Sequence, residues 1–318
     1  MTELHGVWSA IGSTPLVALN RLFPAFKTSI YAKLEFLNPG GSQKDRAAFG
    51  IVSAAVRTGR ITKGGVVIES TTGNMGIGLA QACKYFDLRL VCVVDYRTTH
   101  ANRRILEAYG AQVDVVTETS DPLRARLERV RELLAATPGA FWPDQHVNAD
   151  NPAAHRETTA REIVEALGRA PDVVICAVGT CGTISGLDSG IREHGGATAL
   201  YAVDLKGSAL FGAAPGLRLV PGIGSSRPKH FPVSDRVKPI YVTDRDCVAG
   251  CRLLLDREAI FAGGSAGAVV TAAGRICTDL EPGSSVVLIL PDRGERYLDT
   301  IYSEEWVSSL PRNSGQES

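Results

Sequence analysis

Lys44 lies in the stretch NPGGSQKDRAAFG, residues 38–50, just after a glycine pair and a serine. Three roles are open to a lysine at such a loop-to-helix boundary. It can be a solvated surface charge, it can contact a phosphate, or it can supply an amine for chemistry. Because the stretch alone does not separate these roles, the choice depends on what the rest of the chain places around the lysine.

Three glycine-rich turns each precede a helical pattern, and doubly wound sheets bind their ligands where strands end and helices begin. The first turn, ESTTGNMGIG (69–78), follows an apolar run. Its backbone N–H groups, together with Thr71, Thr72 and Asn74, suit a carboxylate at the N-terminus of the next helix. An ordinary turn at the end of a strand is the alternative.

The second turn, AVGTCGTISGL (177–187), also joins a strand pattern to a helical one. Several N–H groups and two hydroxyls of this turn can point at one phosphate; they belong to Gly179, Thr180, Cys181, Gly182 and Thr183. The chain has no GxxxxGK[ST] motif, and the G-x-x-G spacing lacks the full dinucleotide fingerprint. The turn therefore favours a small phosphate-bearing cofactor over ATP or NAD.

Two further turns allow both a structural and a functional interpretation. AGGSAGA (262–268) is either a small-residue turn for close helix packing or a turn that presents Ser265 to a ligand heteroatom. VPGIGSSRP (220–228) is either a rigid surface turn or an anionic-substrate site. The residues that would contact such a substrate are Ser225, Ser226 and Arg227.

Composition excludes several classes of partner. The 318 residues include 34 Lys and Arg against 34 Asp and Glu, so there is no basic excess that would indicate nucleic acid or an anionic membrane. No apolar run reaches the roughly 20 residues that a membrane span needs. The start, MTELHGVWSAIGSTPL, lacks the pattern of a signal peptide. We therefore expect a cytoplasmic protein.

The seven cysteines are scattered, and the spacing of Cys247 and Cys251 has no second pair of ligands nearby in sequence. We expect buried thiols in a reducing compartment and no metal site. His155 is expected to be a structural or surface histidine, because no Cys or Ser nucleophile pairs with it.

Apolar runs alternate with helical patterns on both sides of residue 150. Val-rich runs without polar alternation, joined by helices, predict parallel sheets covered on both faces. The fold class is therefore α/β, with two α/β units. The predicted strands include GGVVIES (64–70), RLVCVVD (89–95), AQVDVVT (111–117), PDVVICAVGT (171–180), ALYAVDL (199–205) and SSVVLILP (284–291).

Eight collinear stretches together resemble the fold-type II pyridoxal-phosphate enzymes, also called tryptophan synthase β-like, and within them the cysteine synthase group. They are IGSTPLVALNRL (11–22), KLEFLNPGGSQKDRAA (33–48), STTGNMGIGLA (70–80), RRILEAYGA (103–111), NADNPAAHRETTAREI (148–163), GTCGTISG (179–186), GGSAGA (263–268) and LPDRGERYLD (290–299).

The resemblance implies a role for each candidate residue toward pyridoxal 5'-phosphate (PLP). Lys44 would form the Schiff base with the cofactor, since an amine beside a cationic ring loses its proton and acts as nucleophile and base. The turn at 179–183 would bind the phosphate, Asn74 the ring hydroxyl and Ser265 the pyridine nitrogen. The substrate α-carboxylate would contact Ser70, Thr71, Thr72, Gly73 and, by analogy, Gln145. Asp45 and Arg46 would support the start of the helix.

The resemblance also implies the domain organisation. A smaller, mobile domain would comprise residues 38–150, and a larger, phosphate-binding domain would comprise residues 1–37 with 151–318. The cofactor would lie in the cleft between them, and the enzyme would be a homodimer acting on small amino-acid substrates.

The chain departs from ordinary cysteine synthases in a consistent way. Met75 stands where they usually carry Thr, Cys181 where Gly is usual, and Asp292 and Arg293 where small polar residues are common. These departures resemble the branch that joins O-phospho-L-serine to L-glutamate, giving N-(2-amino-2-carboxyethyl)-L-glutamate on the way to 2,3-diaminopropionate in siderophores and peptide antibiotics.

A phosphate leaving group and a dicarboxylate nucleophile both call for cationic or hydroxyl partners. Ser225, Ser226 and Arg227 would supply them, while Arg293 is either a weaker candidate or a structural ion pair. Met75 would remove a hydroxyl near the entrance of the nucleophile. The alternative is a cysteine synthase that uses sulfide with O-acetylserine or O-phosphoserine.

Overall fold

A computed structural model describes residues 6–117 and 119–311 of the chain. The described residues form two compact units. The first contains residues 6–11 and Asn38–Ala154, and the second contains Gly12–Leu37 and residues 155–311. These bounds differ from the expected 38–150 division, because 6–11 packs with the first unit and the second boundary falls four residues later.

Nine strands and ten α-helices make up the regular structure of the described residues. The strands are β1 (Leu16–Ala18), β2 (Ser29–Leu34), β3 (Val66–Ser70), β4 (Arg89–Asp95), β5 (Gln112–Val116), β6 (Val173–Ala177), β7 (Ala199–Leu205), β8 (Val237–Val242) and β9 (Ser285–Leu290). The helices are α1 (Lys44–Arg57), α2 (Asn74–Tyr85), α3 (His100–Ala108), α4 (Pro122–Ala136), α5 (Asp150–Ala154), α6 (Arg161–Leu167), α7 (Gly182–Glu193), α8 (Asp244–Glu258), α9 (Gly264–Ile276) and α10 (Glu304–Ser309).

The first unit is built on a parallel sheet of order β3-β4-β5. Phe141 forms a further parallel bridge beside Val67, so the chain after α4 returns along the free edge of β3. Val67, Val93 and Val94 of the first two strands are buried beneath the helices, whereas Val115 on the edge strand β5 is exposed. The alternation of strands and helices in the sequence predicts this unit correctly.

The second unit is built on a six-stranded sheet of order β1-β2-β9-β6-β7-β8. Strand β9, SVVLIL, is buried along its whole length, as its central place and its apolar run require. All pairs are parallel except β1 with β2, which is antiparallel. The predicted parallel sheets flanked by helices are confirmed, and the antiparallel strand β1 at one edge is the exception.

Glycines set how closely the helices approach one another. In the second unit, a Cβ added to Gly267 of α9 would lie 1.9 Å from the carbonyl oxygen of Cys247, and one added to Gly250 of α8 would lie 2.0 Å from the carbonyl oxygen of Gly267. In the first unit, a Cβ on Gly78 of α2 would lie 2.9 Å from the Cβ of Ala48 and 3.1 Å from the carbonyl oxygen of Lys44. Each pair of helices therefore packs backbone against backbone.

No helix in the described part of the chain is long and apolar enough to cross a membrane. The same residues contain no group of three or more His, Cys, Asp or Glu side chains arranged to hold a metal ion. All seven cysteines are buried.

Candidate active site

Lys44 is the first residue of α1, and a tight loop delivers it there. Gly41 has a positive φ of 82°, and its N–H donates to the carbonyl oxygen of Asn38 at 2.8 Å. The buried carboxylate of Asp45 accepts a hydrogen bond from the N–H of Gly40 at 2.5 Å. A Cβ on Gly40 would lie 2.6 Å from that carboxylate, so the glycine is required. The expected supporting role of Asp45 is confirmed.

Asn74 begins α2 just as Lys44 begins α1. Because Gly78, one turn after Asn74, faces the carbonyl oxygen of Lys44, the first unit brings the starts of the two helices close together. Lys44 itself is partly exposed. An amine and an amide are thus placed at neighbouring helix N-termini, where the backbone favours anionic or electron-rich groups.

The loop from Ser70 to Gly73 connects β3 to α2. The N–H of Thr71 donates to the carbonyl oxygen of Val93 at 3.1 Å, and Asn102 Nδ2 donates to the carbonyl oxygen of Thr72 at 3.1 Å. The hydroxyl of Ser70 is buried and has no hydrogen-bond partner among the described residues. Since an unpaired buried hydroxyl costs stability, this atom is suited to a polar ligand.

Glu69, immediately before this loop, is buried although it carries a carboxylate. Its Oε1 accepts hydrogen bonds from the N–H of Ser70 at 2.7 Å and from the indole Nε1 of Trp142 at 3.1 Å. Its Oε2 accepts from the N–H of Gln145 at 3.2 Å. Burial raises the pKa of Glu69 to about 7, which the three hydrogen bonds only partly offset. The sequence analysis did not single out this residue.

Gln145 is buried, and its backbone is fixed at both ends. Besides the contact to Glu69, its carbonyl oxygen accepts a hydrogen bond from Asn151 Nδ2 at 2.7 Å. Met75, the second residue of α2, is also buried, and its side chain packs in the apolar core of the first unit. Its predicted contact with substrate stays a prediction.

In the second unit, the turn at 179–183 follows β6 and opens α7. Cys181 adopts a left-handed conformation with φ of 66°, which explains why glycine is usual at this position. The hydroxyl of Thr180 accepts from the N–H of Gly182 at 3.2 Å. A Cβ on Gly179 would lie 3.5 Å from the carbonyl oxygen of Gly222, so the 220–228 turn lies alongside.

His155 fixes the hydroxyl of Thr183. The imidazole is fully buried, with Nε2 at 3.2 Å from the hydroxyl of Thr183 and Nδ1 at 3.0 Å from that of Thr159. The histidine opens a π-helical stretch, His155–Ala160, between α5 and α6. Such stretches recur at functional sites. The expectation of a structural histidine is confirmed, but the residue that it contacts belongs to the predicted phosphate turn.

The 220–228 turn has a fixed core and an exposed tip. Ser225 is buried, its N–H donates to Ser208 Oγ at 3.1 Å, and its hydroxyl accepts from the N–H of Arg227 at 3.0 Å. Ser226 and Arg227 are exposed. Arg218, which the sequence analysis missed, donates through Nη2 to the hydroxyl of Ser226 at 2.9 Å. The tip of this turn therefore exposes hydroxyl and guanidinium groups beside the 179–183 turn.

Ser265 is the buried second residue of α9. A Cβ on Gly264 would lie 2.5 Å from Val220 Cγ1, so this helix start adjoins the 220–228 turn. The second unit thus brings together three of the predicted segments. Arg293 forms an ion pair with Glu295 at 2.6 Å, which supports the structural interpretation of that arginine.

Comparison with known proteins gives the class. The family model described as "Pyridoxal-phosphate dependent enzyme" matches residues 7–292. The chain therefore belongs to this family and is a PLP-dependent enzyme, as the resemblance implied. The solved structures that it matches are of the cysteine synthase type, and they confirm the fold-type II architecture.

Particular relatives narrow the similarity further. The chain is 44% identical over 304 residues to an N-(2-amino-2-carboxyethyl)-L-glutamate synthase from Ralstonia nicotianae, covering 94% of this chain and 90% of that protein. An O-acetylserine dependent cystathionine β-synthase from Helicobacter pylori matches with a TM-score of 0.88 and 33% identity, covering 95% of this chain and all of that one. An O-acetyl serine sulfhydrylase isoform from Entamoeba histolytica matches with a TM-score of 0.89 and 31% identity, covering 96% of each chain.

The residues present fit the cofactor. The 179–183 turn contains no carboxylate, and it combines helix N-terminal N–H groups with the hydroxyls of Thr180 and Thr183, as a phosphate requires. Lys44 offers a partly exposed amine for the cofactor aldehyde.

Proposed function

We propose that this enzyme joins O-phospho-L-serine and L-glutamate, giving N-(2-amino-2-carboxyethyl)-L-glutamate and phosphate. The 44% identity to the Ralstonia synthase over nearly the whole chain is the observation that carries the proposal. In the net reaction, the bond between Cβ of serine and the phosphate oxygen breaks. A bond between Cβ and the glutamate nitrogen forms, and that nitrogen loses a proton.

Bound PLP supplies an electron sink for the carbon that loses its α-proton. Lys44 would hold the cofactor through its amine and would serve as the base that takes the substrate α-proton. Asn74 would donate a hydrogen bond to the ring hydroxyl. Ser265 would meet the pyridine nitrogen; since a hydroxyl does not force ring protonation, this serine would favour prompt loss of the β-substituent.

The 179–183 turn would hold the cofactor phosphate. The backbone N–H groups at the start of α7 would donate to the anion, and the hydroxyls of Thr180 and Thr183 would add two donors. Cys181, with its left-handed conformation, makes the turn that opens α7. The fixed contact between Thr183 and His155 supports this role, because it holds the hydroxyl in one place.

The two substrates would contact the loop at 70–73 with Gln145, and the tip of the 220–228 turn. Ser70, Thr71, Thr72 and Gly73, with Gln145, bind the α-carboxylate of phosphoserine, and the unpaired hydroxyl of Ser70 supports this assignment. Arg227, Ser225 and Ser226 bind the phosphate leaving group or the glutamate carboxylates. Met75, in place of the usual Thr, would leave no hydroxyl near the entrance of the nucleophile.

A cysteine synthase is the second candidate, favoured by the match to the Entamoeba sulfhydrylase. The test is to incubate the holoenzyme with O-phosphoserine and one nucleophile at a time. The nucleophiles are glutamate, sulfide and a panel of other amines, and the products are identified by mass spectrometry. The proposal expects the glutamate adduct with stoichiometric phosphate. Rapid formation of cysteine without any glutamate adduct would replace it with the second candidate.

We also propose a cytoplasmic homodimer whose product leads to 2,3-diaminopropionate for a siderophore or peptide antibiotic. The exposed rings of Trp8 and Tyr85, with centroids 6.3 Å apart, support burial against a second copy. Light scattering of the purified protein tests the dimer. A neighbouring gene for an oxidoreductase that releases diaminopropionate from the adduct would support the pathway. The small domain is proposed to move when substrate binds.

A further inference from the structure

We infer that Glu69 is a positioning residue that couples the loop at 70–73 to Gln145, so that the two segments bind a substrate carboxylate as one unit. The inference rests on the proposed placement of that carboxylate. It goes beyond the proposed function because Glu69 would not touch substrate or cofactor. It would act only through the backbone of the residues on either side.

The geometry of the hydrogen bonds carries the inference. One oxygen of Glu69 accepts from the N–H of Ser70, and the other accepts from the N–H of Gln145, which lies 76 positions away in sequence. The chain near Gln145 already runs beside β3, because the N–H of Ile68 donates to the carbonyl oxygen of Phe141 at 2.9 Å. Glu69 therefore fixes where each segment leaves the sheet edge.

Burying a carboxylate to hold two loops lowers the stability of the fold, so its presence here indicates a specific role. Ordinary packing would place an apolar side chain here, since an unneutralised buried charge costs several kcal/mol. Three N–H donors compensate part of that cost, and the indole of Trp142 is one of them. The acceptor is needed because both backbone donors would otherwise be buried without partners.

The charged surroundings of Glu69 are limited to a few groups. Asp144 raises its pKa further, while the guanidinium of Arg126 on α4 interacts favourably with its charge. The thiol of Cys92 on β4 also faces it. Protonation of Glu69 would turn one acceptor into a donor directed at N–H groups. The link between the two segments should thus weaken below neutral pH.

Glu69→Gln is the direct test, because glutamine has the same shape but only one acceptor oxygen. If that oxygen keeps Ser70 and Trp142, its NH₂ group faces the N–H of Gln145, and the link to that segment is lost. L-serine serves as the probe, since it carries the α-carboxylate without a phosphate that titrates. Its dissociation constant is measured from the change in visible absorbance of the holoenzyme at pH 8.

We expect L-serine to bind about tenfold or more weakly to Glu69→Gln, as for the loss of a hydrogen bond to a charged group. The ratio between variant and wild type should shrink below pH 7, where wild-type Glu69 is itself protonated. Glu35→Gln is the matched control, because Glu35 is a buried carboxylate of the second unit that accepts from Thr14 Oγ1 at 2.7 Å. It should leave the L-serine constant unchanged.

Hydrogen exchange of the wild-type holoenzyme gives a second readout that needs no variant. L-serine should slow amide exchange in peptides covering 66–73 and 141–147 together and with the same concentration dependence. Protection of only one of these peptides overturns the inference, as does binding of L-serine to folded Glu69→Gln within twofold of wild type. Neither measurement uses glutamate, so a failure of the proposed reaction is seen separately, as the absence of adduct.

Discussion

The two units hold their site loops by different physical means. In the first unit, the buried carboxylate of Glu69 accepts hydrogen bonds from backbone N–H groups of Ser70 and Gln145. In the second unit, the buried imidazole of His155 contacts the side-chain hydroxyl of Thr183. The first arrangement fixes the path of a loop whatever its side chains are. The second fixes one functional group, and therefore depends on the identity of that residue.

This difference matches the ligands proposed for each unit. A substrate carboxylate that arrives and leaves in each turnover suits a loop held through its backbone, since the side chains then stay available. A phosphate that remains bound suits donors that are fixed in advance, because preorganised donors lose less freedom on binding. An imidazole in its neutral form can hold two hydroxyls without bringing a charge into the core, because one ring nitrogen then donates and the other accepts.

The largest effect is expected from removing the amine of the first unit. Lys44→Ala should lower kcat by more than about a thousandfold, since Lys44 is the proposed nucleophile and base. The visible band of the lysine–cofactor Schiff base should vanish. The variant should nevertheless retain cofactor through the 179–183 turn of the second unit, as measured by phosphate content after gel filtration.

Lys63→Ala is the control for Lys44→Ala. Lys63 is exposed and pairs with Asp87 at 2.9 Å, so its loss should leave turnover unchanged. Turnover by Lys44→Ala close to that of wild type would remove the amine from the mechanism. Loss of all cofactor from that variant would contradict the separate anchoring by the second unit.

The two units also differ in how closely their helices pack. Gly267→Ala should destabilise the second unit by about 3 kcal/mol or more, because the new methyl group would meet backbone atoms that cannot move aside. Gly78→Ala in the first unit should cost only about 1–2 kcal/mol, since the added Cβ would lie 2.9 Å from Ala48 Cβ and 3.1 Å from the carbonyl oxygen of Lys44, much farther than the 1.9 Å at Gly267. Urea unfolding measures both, and equal losses would show that the two helix pairs are packed alike.

The titration of Glu69 gives the next effect. Its pKa is about 7 in the folded protein against 4.5 as the ordinary value, so the folded state binds more protons between these pH values. The free energy of unfolding of wild type should therefore fall, relative to Glu69→Gln, by at most about 3 kcal/mol as pH rises from 4.5 to 7. Above pH 7 and below 4.5 the difference should be constant.

Urea unfolding of both proteins across pH 4–8 measures this difference. A difference that instead grew in favour of wild type with rising pH would mean that the three N–H donors outweigh the desolvation of Glu69. Its folded pKa would then lie below 4.5. In that case Glu69 would hold its loop as a carboxylate throughout the pH range above 4.5.

Much of the fold follows from the sequence, because Val-rich runs without polar alternation have few alternatives to a buried parallel strand. Strand β2, SIYAKL, was missed because a lysine interrupts it. Lys33 is nevertheless buried, and its amine pairs with Glu162 at 2.6 Å. A partner 129 positions away cannot be read from a local pattern, so tertiary pairing decided what the pattern could not.

The candidate site divides in the same way. The glycine-rich turns are predictable, since their conformations and close approaches restrict the residue type at positions such as Gly40 and Gly264. The residues that hold those turns were missed or given no role toward them. Glu69 is the first residue of the 69–78 turn, but its partners Trp142 and Gln145 come from a distant segment of the chain. Only the fold shows that His155 reaches Thr183.

A smaller effect is expected at Thr183. Thr183→Val removes the hydroxyl and keeps the shape, so PLP should dissociate about tenfold more readily, as for the loss of one hydrogen bond to a charged group. Thr183→Ser should retain near-normal affinity, which equilibrium dialysis of PLP against each apoprotein would measure. Equal affinity of the Val and Ser variants would remove the hydroxyl from the phosphate site, and with it the functional reason for the contact to His155.

The smallest effect is expected at Cys181 and concerns how each unit starts its site helix. Gly73 precedes α2 with φ of −141°, whereas Cys181 precedes α7 with φ of 66°, where a side chain costs about 1 kcal/mol. Cys181→Ala keeps that strain and loses the buried sulfur. Cys181→Gly loses the same burial but releases the strain, so it should be the more stable of the two by about 1 kcal/mol, less the extra freedom of glycine in the unfolded chain. Thermal unfolding of the pair decides the matter. If the alanine variant is clearly the more stable, the strain at residue 181 is smaller than the extra conformational freedom that glycine has in the unfolded chain, and the two units differ little in how they start their site helices.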